Sequence, residues 1–140
     1  MRRKIVGASW KMHIDSMERG IKLAENIREL VGHISGVEMF ILPPFPMIFD
    51  VSRALKNSTI KWGSQNIAHK EKGALTGEVP PRILKEIGCN YVEIGHAERR
   101  RYFNETDEMV NKKVKLSIKY DMIPVICIGE TLADKDDTVT

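Results

Sequence analysis

Ile5-Val6-Gly7-Ala8-Ser9-Trp10-Lys11-Met12 is the stretch that decides the fold. A short apolar run breaks at Ser9 and delivers a tryptophan and a cation at its end. A second apolar run, Tyr91-Val92-Glu93-Ile94, leads in the same way into Gly95-His96-Ala97-Glu98-Arg99-Arg100, which reads as a short helical turn. In parallel α/β proteins chemistry sits at the C-terminal ends of strands. Lysine and histidine at two such ends suggest a site for a small phosphorylated, carbonyl-bearing substrate. A doubly wound dinucleotide fold would carry a G-x-G-x-x-G turn after its first strand. Gly7-Ala8-Ser9-Trp10-Lys11 lacks that spacing, which leaves a barrel segment.

The rest of the chain supports this order. After the strand Ile5 to Ser9, Asp15-Ser16-Met17-Glu18 starts a helix, with the Asp15 carboxylate as cap and Glu18 in the first turn. Ile21, Ala24, Ile27, Leu30, Val31 and Ile34 recur at helical spacing, and Gly36 ends the element. Val37 to Leu42 is a strand stopped by Pro43-Pro44. A short helix from Met47 to Lys56, a strand from Thr59 to Gly63 and a helix from Pro80-Pro81 to Gly88 follow. Asn90 to Gly95 is the fourth strand. Thr106 caps a helix to Tyr120 that buries Met109, Val110, Val114 and Ile118. Met122 to Gly129 is the fifth strand, apolar enough for burial on both faces. Strands alternating with helices give a parallel sheet. The irregular stretch Ser64 to Val79 exceeds ordinary loop length and reads as a functional or interface loop.

Composition limits the function. The 140 residues allow one domain with a real core, and 42% hydrophobic with 29% charged residues is the balance of an ordinary globular protein. With a net charge of +3 and no basic stripe after Arg2-Arg3-Lys4, a solvated tip, nucleic acid is not an expected partner. No apolar run approaches membrane length, so no membrane partner is expected either. Cys89 and Cys127 have neither metal-ligand nor C-x-x-C spacing, and His13, His33 and His69 are scattered. Cytoplasmic location with reduced thiols and no metal is the resulting expectation.

Five motifs, in order and across essentially the whole chain, resemble the triosephosphate isomerase family. They are Gly7 to Met12, Gly63-Ser64-Gln65-Asn66, Gly73-Ala74-Leu75-Thr76-Gly77-Glu78, Ile94 to Arg100 and Cys127-Ile128-Gly129-Glu130-Thr131. The resemblance implies a TIM (β/α)8 barrel, of which residues 1–140 form the N-terminal portion of a single domain, with about five strands and four helices. It implies interconversion of dihydroxyacetone phosphate and glyceraldehyde 3-phosphate through an enediolate, in a homodimer, with no cofactor. By position, Lys11 would bind the substrate phosphate and balance enediolate charge. His96 would be the neutral electrophile known from this family. Ser9 would contact substrate, while Glu98 and Glu130 would support the site. Gln65, Thr76 and Glu78 would be dimer contacts. Arg99 and Glu105 read as a structural ion pair, and Cys127 as packing.

Three departures qualify the resemblance. Ser9 stands where the family usually has asparagine, a form that resembles a branch acting on tetrulose (erythrulose) phosphates. Ala97 replaces the usual serine and offers no hydroxyl to the helix end or to the catalytic base; if that hydroxyl acts as a cap, its loss costs about 1 kcal/mol locally. A complete barrel takes roughly 250 residues. The family's catalytic glutamate, on the sixth strand, and its later phosphate loops therefore fall outside these 140 residues, and the chain is expected to be part of a longer one. The competing expectations are a tetrulose-phosphate isomerase of the same fold and a non-catalytic half-barrel fragment that binds anions or a partner.

Overall fold

The structure is a computed structural model that describes residues 2–129. Five parallel strands lie in the order β1 (Lys4–Ser9), β2 (Val37–Leu42), β3 (Lys61–Ser64), β4 (Tyr91–Ile94) and β5 (Ile123–Ile126). Between them run α1 (Met17–Val31), a 3-10 turn (Phe45–Met47) with α2 (Ile48–Ala54), α3 (Pro81–Glu86), and finally α4 (Ala97–Phe103) with α5 (Asp107–Lys119). The sheet curls, so that side chains of β1 and the end of β4 touch across its concave face. This is the N-terminal portion of a TIM barrel.

Strand alternation sorts the core into an outer and an inner part. Ile41, Val92 and Ile94 point outward, where Trp10, Ala24, Val51 and Leu55 pack on the first half of the sheet, and Ile48, Ile67, Leu84 and Val110 on the second. Phe40, Leu42 and Tyr91 point inward, with Val125 against them. The Phe40 and Tyr91 rings stack at 4.1 Å. Two glycines make that inner packing possible. A Cβ on Gly7 would lie 2.2 Å from the Phe40 ring, and one on Gly63 would lie 2.0 Å from the Tyr91 carbonyl oxygen. Toward the N-terminal ends of the strands, Glu38 accepts hydrogen bonds from Lys61 (2.6 Å) and the Tyr91 hydroxyl, and pairs with Arg3 at 2.6 Å. Lys61 and Tyr91 hold the Glu38 carboxyl below its ordinary value; burial and the Glu38 charge push the Tyr91 phenol up to about 12. Arg3 is therefore anchored rather than part of a free tip.

Several boundaries differ from the sequence expectation. Ser16, not Asp15, caps α1: it has extended dihedrals and accepts from the Arg19 amide, while Asp15 accepts from the Arg19 guanidinium at 2.8 Å. That helix stops at Gly32, four residues before Gly36, because the chain must turn back into β2; Leu30 is left 73% exposed, and Ile34 lies outside the helix. The turn after β4 is a helix in its own right, so five α-helices accompany the five strands where four were expected. Ile118 is 61% exposed, because the inward stripe of α5 is Val110, Lys113 and Ser117. β5 does not bury both faces: Ile123 and Ile126 are nearly half exposed, since β5 is an edge of the sheet. Ile5 and Val6 on the opposite edge are similarly exposed. The expected helix start at Thr131 lies outside the described residues.

A buried charged network fixes the end of β4. Glu105 accepts from the Gly95 amide (2.9 Å), Arg99 (2.7 Å) and Lys113 (2.5 Å), and Lys113 also donates to Asn66 at 2.8 Å. Glu105 and Lys113 side chains are each only 1% exposed. Burial raises the Glu105 carboxyl, but the hydrogen bonds from Lys113 and Arg99 outweigh it and hold the group below its ordinary 4.5. A carboxyl depressed in the folded state contributes stability above pH 4.5 that is lost as the pH falls through its folded value.

Two outcomes follow from this packing. Gly63→Ala should destabilise the protein by about 1–3 kcal/mol through overpacking, read as a lowered urea midpoint; an unchanged midpoint would show that β3 and β4 can part without cost. Glu105→Gln strands the Lys113 charge and should cost about 3–5 kcal/mol at neutral pH. Its stability should also fall less between pH 5 and 3 than the wild type's. An identical acid slope would remove Glu105 as the source of that dependence.

Candidate active site

The site stands at the C-terminal ends of β1 and β4, the edge from which barrel enzymes work. β1 ends at Ser9, Trp10 is buried with its amide bonded to the Leu42 carbonyl (3.0 Å), and Lys11 follows in the left-handed backbone region at φ 52°. An L-residue held there costs of order 1–2 kcal/mol and persists only where its surroundings impose it. Gln65, just past β3, imposes it: its amide nitrogen donates to the Lys11 carbonyl at 3.0 Å and to the Leu42 carbonyl at 2.8 Å. Gln65 therefore acts inside this chain, a role that its reading as a dimer contact did not foresee.

On the other side, Gly95 turns the chain at φ +74° and His96 starts α4. Its Nδ1 accepts from the Glu98 amide at 3.2 Å, so His96 itself is the N-cap. Ala97 is the first helical residue, and the expected loss of a capping hydroxyl at that position does not arise. Arg100 donates to the Gly95 carbonyl (2.9 Å) and pairs with Asp107 at 2.6 Å, which ties α4 back onto the strand end.

The two strand ends meet. Lys11 Nζ lies 2.6 Å from His96 Nε2 and 3.2 Å from the Glu98 carboxylate. A neutral imidazole has one acceptor nitrogen, and here two donors approach it, the Glu98 N–H at Nδ1 and the Lys11 ammonium at Nε2. The lysine ammonium and the imidazole thus converge on one point at the mouth of the sheet. Glu98 partly balances the lysine charge.

Beneath this pair, Ser9 donates its hydroxyl to Glu93 at 3.0 Å. Glu93 was not singled out in the sequence, although a carboxylate inside the run Tyr91 to Ile94 was the signal that could have found it. Cys127 lies alongside. Burial, reinforced by the Glu93 charge, raises its thiol above the ordinary value, so it stays protonated, in keeping with packing rather than nucleophilic duty. Cys89 is buried in the core and raised to about 12 by burial.

Thr76 is exposed on the projecting loop, and Glu78 lies 4.0 Å from Arg99. The loop base is closed by the Ala68 amide on the Val79 carbonyl at 2.9 Å. Arg99 and Glu105 form the ion pair expected of them. Glu130 lies outside the described residues. Among the described residues no three His, Cys, Asp or Glu side chains are grouped to hold a metal ion, and no helix is long and apolar enough to cross a membrane.

Comparison with known proteins agrees with this geometry. The family model for triosephosphate isomerase matches residues 4–140. The triosephosphate isomerase of Caldanaerobacter subterraneus subsp. tengcongensis is 46% identical over 140 residues, covering 100% of this chain and 56% of that protein. That of Dictyoglomus thermophilum is 44% identical over 136 residues, 97% of this chain and 54% of the relative. That of Endomicrobium trichonymphae is 38% identical over 140 residues, again 100% of this chain and 56% of the relative. The chain thus spans about half the length of the curated relatives it matches. With the motif order, the curled parallel sheet and the lysine–histidine pair in agreement, the chain belongs to the triosephosphate isomerase family.

Proposed function

We propose that this chain supplies the N-terminal half of a single barrel domain that interconverts dihydroxyacetone phosphate and glyceraldehyde 3-phosphate, a step of cytoplasmic sugar-phosphate metabolism shared by glycolysis and gluconeogenesis. The observation that carries the proposal is the approach of Lys11 Nζ to within 2.6 Å of His96 Nε2 across the barrel mouth. A carbonyl oxygen placed against both groups accepts from each. As the carbon beside the carbonyl loses its proton, charge grows on that oxygen, and donors already aimed at it stabilise the enediolate more than the ketone. Return of the proton to the neighbouring carbon, with the hydroxyl proton passing from one enediol oxygen to the other, completes the carbonyl shift with no net change in electrons.

The proton needs a base. Glu98 is committed to Lys11 and Glu93 to Ser9, so we assign this task to a carboxylate from the rest of the barrel, outside residues 1–140. The ammonium of Lys11 also suits the substrate phosphate, and no cofactor is needed for this chemistry. Gln65, Thr76 and Glu78 lie on or beside the projecting loop, and we place that loop against a second copy in a homodimer.

A second reading, isomerisation of a tetrulose phosphate, is favoured by one observation, the Ser9–Glu93 pair where the family usually has asparagine at position 9. Both readings share the enediolate and the same two donors.

In the full-length protein, His96→Gln should lower kcat on dihydroxyacetone phosphate by about a hundredfold or more, the scale of losing one oxyanion donor, with KM within a few-fold. Lys11→Met should raise KM as well as lower kcat, because it removes charge facing the phosphate. Turnover that survives His96→Gln unchanged would remove His96 from the chemistry, and a wild-type protein with no isomerase activity would favour a half-barrel that only binds.

A further inference from the structure

We draw no further inference here: the strongest candidate, the cavity between the C-terminal ends of α1 and α2 lined by Arg28, His33 and Lys56, carries nothing, because Arg28 already donates to the Ala54 carbonyl at 2.9 Å, basic side chains are ordinary at helix C-terminal ends, and nothing in the structure shows what would occupy it.

Discussion

The histidine side of this site hangs from one buried carboxylate. Glu105 grips the amide of Gly95, the residue before His96, and is itself held by Arg99 and Lys113. A buried charge is tolerable only when paired and hydrogen-bonded, and breaking one side leaves the other uncompensated. The network therefore has a single low-energy arrangement. It joins β4, α4 and α5 and reaches Asn66 after β3. Stiffness of that kind fixes the end of β4 and the turn at Gly95 from which His96 starts α4.

Lys11 is positioned by a different device. Its backbone is held in a conformation unfavourable to an L-residue by the amide of Gln65, with Trp10 buried beneath it. Histidine and lysine thus reach the same point from independent supports, one electrostatic and one built from backbone hydrogen bonds. Preorganised donors lose little on reaching the transition state, because their alignment was settled on folding. The Ser9–Glu93 hydrogen bond one level lower joins the same two strands.

Much of this was legible in the sequence. The end of β1 at Ser9 could be read because an apolar run stops there, the fourth strand was taken one residue too far at each end, and β2 was bounded correctly because Pro43-Pro44 cannot continue a strand. Thr106 was identifiable as a cap from its place before an amphipathic run, and it does cap α5. What escaped notice depends on contacts distant in sequence. Lys113 looks like one more surface cation on a helix; only the fold reveals Glu105 opposite it, and the same network turns the buried stripe of α5 away from Ile118. Gln65 was placed at a dimer contact by resemblance, and nothing local in the sequence shows that it also faces Lys11. Glu93 was absorbed into an apolar run, although a charge on an inner strand should have raised a question about its partner.

The most direct test of the account is to follow the reaction of the full-length protein in deuterium oxide by proton NMR, with a ketose phosphate as substrate. On the chemistry proposed above, an enediolate held between Lys11 and His96 would exchange its proton through a carboxylate in contact with solvent, so the product should carry deuterium at the carbon beside the carbonyl. Conversion with no solvent deuterium at that carbon would mean a direct hydrogen shift and would contradict the assigned chemistry.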